Sequence, residues 1–161
     1  MDVRVMIMAG GTGGHVFPAL AVARELQSRG VEVVWLGSRG GFESRVVPEA
    51  GIPARWIRVS GLRGRGPSRW IAAPFNLTRA LWEALSVLRS VRPVTVLGMG
   101  GFVTGPGGLA ARLLGIPLVI HEQNSVPGMT NRWLARWAAR IAESFPGSFG
   151  RTDAVCSGNP V

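Results

Sequence analysis

Two glycine-rich loops, each directly after an apolar run, constrain this 161-residue chain more than any other feature. The first, Gly10-Gly11-Thr12-Gly13-Gly14-His15, follows Val3-Arg4-Val5-Met6-Ile7. The second, Gly98-Met99-Gly100-Gly101-Phe102-Val103-Thr104-Gly105-Pro106-Gly107-Gly108, follows Val94-Thr95-Val96-Leu97. Between a strand and a helix, such a loop presents backbone N–H groups and keeps Cβ atoms out of a ligand's way. The helix behind it adds the positive end of its dipole, which favours a phosphate or another anion. Two such loops at equivalent ends of parallel strands predict an anion-binding crevice along the carboxyl edge of a sheet.

The rest of the chain alternates in the same way. Strands are expected over Val3–Met8, Val31–Leu36, Arg55–Val59, Val94–Leu97, Leu118–His121, Arg140–Glu143 and Ala154–Cys156. Helical patterns fall between them, over Pro18–Ser28, Glu43–Glu49, Leu77–Val91, Gly107–Leu114 and Met129–Ala139. The strand runs are almost continuously apolar, as in a parallel sheet covered on both faces. Right-handed crossovers then wind an α/β, Rossmann-like three-layer domain with a parallel sheet.

With 47% hydrophobic residues, the chain can bury one real core. A single cysteine, Cys156, leaves no disulfide framework and suits a reducing compartment. The formal charge of +9 is all arginine, and the missing lysine excludes a Walker-type phosphate loop. Such a surplus draws a protein toward polyanions, although uniform arginine usage is an equal explanation. No secretory leader is expected from the residues before the first strand, and no apolar run in the sequence approaches the roughly 20 residues of a spanning helix. The chain is thus expected to be soluble or to sit on a membrane without crossing it. Its closing Ser157-Gly158-Asn159-Pro160-Val161 reads as a strand exit and turn, as in one domain of a larger protein.

Dinucleotide binding fits the loops poorly. Val16 stands where the fingerprint has its third glycine, and the second strand ends Trp35-Leu36-Gly37-Ser38-Arg39 with no acid for a ribose. Arg39 leaves an NADP phosphate as the remaining version of that reading. His15, at the helix start behind the first loop, would face any anion held there, and imidazole is suited to proton transfer near neutral pH. The other histidine opens His121-Glu122-Gln123-Asn124 at a strand end. Four polar residues there either line the crevice or form a hydrogen-bonded buckle for the next helix. No carboxylate cluster has the look of a divalent-ion site, so neither metal nor cofactor is expected.

The run from Gly10 through His15 to Val16-Phe17-Pro18-Ala19-Leu20-Ala21 resembles the MurG family. So do Ser60-Gly61-Leu62-Arg63-Gly64, the loop Gly98–Gly108, His121-Glu122-Gln123-Asn124 and Gly158-Asn159-Pro160-Val161. Members of that family are bacterial N-acetylglucosaminyltransferases that convert lipid I to lipid II in peptidoglycan synthesis. The resemblance implies that residues 1–161 are the N-terminal acceptor and membrane-binding domain of a two-domain GT-B enzyme. The UDP-sugar domain would lie outside this chain. The reaction would move GlcNAc from UDP-GlcNAc to the C4 hydroxyl of the muramyl sugar of lipid I (undecaprenyl-pyrophosphoryl-MurNAc-pentapeptide), with inversion and without a cofactor. The domain alone would be inactive.

By position, Thr12, Gly13, Gly14 and Asn124 would contact the donor. Gly11, Gly100, Gly101, Thr104 and Gly105 would face the acceptor pyrophosphate. His15 would be the catalytic base, with Glu122 as second candidate. Phe102 departs from the tyrosine of many relatives, and the arginine that follows the Asn-Pro-Val turn in the family would fall past Val161.

A lipid-anchored acceptor implies work at the cytoplasmic face of the cell membrane. Arg65, Arg69, Trp70, Ile71, Phe75, Arg79 and Trp82 mix arginines with large apolar side chains, as suits an anionic membrane surface. Leu77, Leu81, Leu85 and Leu88 would form the inward stripe of that helix. A second helix would set Arg132, Arg136 and Arg140 in one row, with Trp133 and Trp137 filling gaps in the core. Nucleic acid is not an expected partner, because the arginines are dispersed and no recognition motif accompanies them.

Overall fold

A computed structural model describes residues 3–59 and 67–161, with the side chains of 67–72 outside that description. Twelve elements alternate along it: β1 (Arg4–Ala9), α1 (Gly13–Ser28), β2 (Glu32–Ser38), α2 (Glu43–Glu49), β3 (Ala54–Ile57), α3 (Pro67–Val91), β4 (Thr95–Gly100), α4 (Thr104–Leu113), β5 (Leu118–Glu122), α5 (Met129–Leu134), β6 (Arg140–Glu143) and β7 (Ala154–Cys156). The seven strands form one sheet in the order β3-β2-β1-β4-β5-β6-β7, and every pairing is parallel. The order reverses between β1 and β4. In a doubly wound sheet that reversal opens a crevice at the carboxyl edge, and the two glycine loops leave the two strands that flank it.

Each face of the sheet buries its own layer. Met6 and Met8 of β1, Val34 and Leu36 of β2 and Val96 of β4 pack with Leu85 and Leu88 of α3, Ala110 and Ala111 of α4 and Leu134 of α5. The alternate residues Val5, Ile7, Val33, Trp35 and Met99 pack with Val16, Ala19, Leu20 and Ala23 of α1 and Val47 of α2. This period of two along continuously apolar strands is what produces three layers. No helix among the described residues is long and apolar enough to cross a membrane.

The boundaries differ from expectation in instructive places. α1 begins at Gly13 rather than Pro18: extended Thr12 is its N-cap, and the Thr12 carbonyl accepts from the His15 and Val16 amides at 3.1 Å. His15 therefore lies in the first turn of the helix, and Pro18 is inside it. α5 stops at Leu134, because the chain turns so that the Ala139 N–H can donate to the Leu118 carbonyl at 2.7 Å and start β6. Arg140 is thus a strand residue, and the expected row Arg132–Arg136–Arg140 does not form.

Trp133 and Trp137 do not fill the core either. They are exposed and meet edge to face with ring centroids 4.4 Å apart. On α3 the inward stripe runs through Ala73, Ala80, Ala84, Leu85, Leu88 and Val91, while Leu77 is exposed.

Candidate active site

The crevice is built by making the two loops touch. β1 and β4 run in register from Val5 opposite Thr95 to Met8 opposite Gly98, and then slip so that Ala9 faces Gly100. The slip brings the Gly10 N–H to the Gly100 carbonyl at 3.3 Å. Gly100 and Gly101 have φ of +107° and +87°. A Cβ on Gly100 would lie 2.6 Å from His15 Nδ1, and one on Gly101 would overlap the Gly10 carbonyl oxygen. Glycine is required at both positions for backbone shape and for space.

His15 is half-buried against Gly100, and its Nδ1 lies 2.9 Å from Gln123 Oε1. Beside it, Gly13 and Gly14 open α1 with no side chain capping their amides, which leaves first-turn donors for an anion. Thr12, Gly11 and Gly14 are exposed at the mouth. The second loop offers fewer donors than its glycines imply. The Thr104 N–H donates to the Gly101 carbonyl at 3.3 Å, and Pro106 has no amide hydrogen. Of the first three residues of α4, Gly105 alone keeps a donor for a ligand. Thr104 is fully buried, and its hydroxyl reaches the Gly100 carbonyl at 2.9 Å and the Met8 carbonyl at 3.2 Å. Its side chain braces β1 to the second loop rather than facing the crevice.

The strand end at β5 is a buckle. Glu122 is fully buried: Oε1 accepts from the Asn124 backbone and side-chain amides at 3.0 and 2.8 Å, and Oε2 from the Gly128 N–H at 3.1 Å and Asn131 Nδ2 at 2.9 Å. These bonds fix exposed Asn124 at the rim and hold the start of α5. His121 and Gln123 are buried next to it, with Gln123 Nε2 2.9 Å from His121 Nδ1 and His121 Nε2 3.2 Å from the Gly158 carbonyl.

Two further residues shape the site with no signal in the local sequence. Fully buried Glu43 accepts from the Gly11 N–H at 3.1 Å, from the Ser38 N–H at 2.8 Å and from the Ser38 hydroxyl. It pins the first loop from below. Trp35 donates its indole N–H to the Ala9 carbonyl at 3.1 Å, where β1 ends.

Burial pushes the His121 pKa below its ordinary value, against smaller upward pulls from the Gly158 carbonyl and the Glu122 charge. As the pH drops, the unfolded chain therefore takes up this proton before the folded one does. Stability is full above about pH 6.5 and is lost below it, down to the depressed folded value. Melting temperatures from about pH 5 to 8 are expected to fall toward acid, with a shallower slope in His121→Gln. Equal slopes in the two proteins would remove His121 from the linkage.

Residues 5–143 match the model of the glycosyltransferase family 28 N-terminal domain. A UDP-N-acetylglucosamine–N-acetylmuramyl-(pentapeptide) pyrophosphoryl-undecaprenol N-acetylglucosamine transferase of Methylococcus capsulatus is 60% identical over 98% of this chain and 45% of its own length. The crystal structure of Acinetobacter baumannii MurG superposes with a TM-score of 0.86 at 49% identity, covering 96% of this chain and 45% of that one. A UDP-N-acetylglucosamine 2-epimerase from Rickettsia bellii reaches a TM-score of 0.71 at 14% identity over 99% of this chain and 46% of that one, a likeness of fold alone. The chain spans a little under half the length of the relatives it matches. Matched over most of its length, and carrying touching glycine loops at the reversal of a parallel sheet, the chain belongs to glycosyltransferase family 28 through that family's N-terminal domain.

Proposed function

We propose that this chain is the acceptor-side domain of an inverting, two-domain N-acetylglucosaminyltransferase. The enzyme would move GlcNAc from UDP-GlcNAc to the C4 hydroxyl of the muramyl sugar of lipid I. The observation that carries this reading is His15 in the first turn of α1, packed on one glycine loop and rising from the other, in a chain 60% identical to a transferase of that name. Inversion by single displacement needs a base for the attacking hydroxyl and stabilisation of departing UDP. His15 is the base. Glu122 is the second candidate, and taking the proton would require it to release at least one of four hydrogen bonds. Thr12, Gly13, Gly14 and Asn124 face the donor held by a C-terminal domain. Gly11, Gly100, Gly101 and Gly105 face the acceptor pyrophosphate, with Thr104 shaping their loop.

The test joins this chain to the C-terminal half of the Methylococcus relative. It follows radiolabelled GlcNAc from UDP-GlcNAc to a short-chain lipid I analogue, with UDP-glucose as the control donor. Transfer that depends on both halves and on the GlcNAc donor is the expected result. A folded chimera that binds anionic vesicles but transfers nothing would replace the enzyme with a non-catalytic lipid-binding module.

The acceptor's lipid tail calls for a membrane-facing side, and the α3–α5 layer is the side we assign. α3, α4, α5 and the turn after α5 carry six arginines and one glutamate, against two arginines and three glutamates on α1 and α2. Phe75 and Trp82 are 71% and 63% exposed there. Arg79 is half-buried, and its Nε lies 4.0 Å from Glu83. Arg65 lies outside the described residues, as do the side chains of Arg69, Trp70 and Ile71. Each arginine near an anionic surface adds about 1 kcal/mol, and exposed aromatics suit headgroup depth. The Phe75→Ser/Trp82→Ser protein is expected to co-sediment several-fold less with phosphatidylglycerol vesicles than the wild type. Equal sedimentation would place the membrane contact on another surface.

A further inference from the structure

Three hydrogen bonds run in line from His15 to the Gly158 turn, and their donor–acceptor inventory admits one direction. The Gly158 carbonyl can only accept, so His121 Nε2, 3.2 Å away, carries a hydrogen. In the neutral ring this leaves His121 Nδ1 bare, so at 2.9 Å it accepts from the Gln123 amide nitrogen. The amide is thereby turned with Oε1 toward His15, at 2.9 Å, and that oxygen also can only accept. His15 Nδ1 must then carry the hydrogen, and Nε2 is left with its lone pair. Burial, which holds His121 neutral, removes the doubly protonated ring that would allow the amide to flip. The Gly158 carbonyl is itself held by the Ser144 hydroxyl at 3.2 Å.

We propose that Gln123 and His121 are positioning residues that hold His15 as the Nδ1–H tautomer, leaving Nε2 as the proton acceptor, with the Gly158 carbonyl setting the direction of the chain of bonds. A histidine in water favours the opposite, Nε2–H, form, in which the nitrogen needed to take the sugar hydroxyl's proton is already occupied. The neighbouring hydrogen bond therefore decides whether the ring can act as a base. In the flipped arrangement the Gln123 amide would donate to His15 Nδ1, and the base would be lost without any group moving more than a rotation. Because Gly158 lies in the turn that leaves β7, the protonation pattern at His15 is tied to the position of the segment leading out of this domain.

The catalytic part rests on the reading of His15 as base, but the tautomers can be measured without any turnover. The chain has two histidines, so long-range 1H–15N correlation of the labelled protein reports each ring separately. The expected spectrum has His15 as Nδ1–H and His121 as Nε2–H, and His15 as Nε2–H in the wild type would overturn the proposal. Gln123→Leu is expected to release His15 to the Nε2–H form. Gln123→Glu, whose oxygens can accept from both rings, is expected to keep His15 as Nδ1–H and to leave His121 with hydrogens on both nitrogens, since the Gly158 carbonyl still requires Nε2–H. This second variant and the wild-type spectrum decide the matter even if Gln123→Leu does not fold.

In the two-half chimera, Gln123→Leu is expected to lower kcat by about tenfold to a hundredfold at unchanged KM, and Gln123→Glu to restore most of it. A loss confined to KM would overturn the positioning role. Correct tautomers in a chimera that transfers nothing would leave the network standing and reject the glycosyltransferase reading instead.

Discussion

Replacing His15 with alanine in the two-half enzyme is expected to lower kcat by about 10²–10⁴-fold, the usual contribution of a positioned general base. KM for UDP-GlcNAc and for the lipid I analogue should stay within a few-fold, since a group needed only as the hydroxyl loses its proton stabilises the transition state and not the bound substrates. The fold should tolerate the change. His15 is half-buried and makes one side-chain hydrogen bond, to Gln123, and its neighbours in α1 pack through Val16, Ala19 and Leu20 instead.

Glu122→Gln is the informative partner. One glutamine oxygen cannot replace the two carboxylate oxygens that accept from Asn124, Gly128 and Asn131, and the new NH2 would confront donors where an acceptor is needed. Its loss of activity should therefore come with a lowered melting temperature, whereas that of His15→Ala should not. Less than about a tenfold loss of kcat in His15→Ala, beside a stable but inactive Glu122→Gln, would give the proton to the carboxylate.

The strands were legible because a sheet buried on both faces leaves nearly continuous apolar runs, and the crevice because glycine loops follow the strands at the reversal. What the sequence hid lies in contacts between distant segments. Gly13 and Gly14 have no local preference for helix, so the start of α1 at Thr12 depends on where β1 delivers the chain. The stretch after Leu134 has a helical composition, yet the Ala139 N–H is drawn to the Leu118 carbonyl and the helix gives way to β6. Glu43 looks like a solvated first-turn acid of α2 and is instead the buried acceptor beneath Gly11 and Ser38. Thr104 looks like a loop hydroxyl facing the crevice and instead ties two strand ends together. Of the four polar residues at the end of β5, the pattern indicated that they act together, but the order of donors and acceptors needed the register of β5 against the Gly158 turn.

The fold itself is expected to fail most sharply at Gly101. Gly101→Ala forces an L side chain to φ +87° and drives its Cβ into the Gly10 carbonyl, with the Gly10 nitrogen 3.0 Å away on the same side. Neither obstacle can rotate aside, because both are backbone. Backbone strain of this kind costs about 1–3 kcal/mol and overpacking a further 1–3 kcal/mol or so, a large part of the ~5–15 kcal/mol that holds a domain folded. A melting temperature lower by about 5–20 °C is expected from calorimetry or circular dichroism. Gly128→Ala, at φ −60° with open space around it, should change it by a few degrees at most. If Gly101→Ala relaxes instead of unfolding, the relief has to come from parting the loops. That would break the Gly10 N–H bond to the Gly100 carbonyl and move Gly100 off the His15 ring, so activity should vanish in whatever fraction stays folded. A variant that melts with the wild type and transfers GlcNAc normally would mean that the two loops do not touch in solution, and with them would go the geometry on which the proposed role of His15 rests.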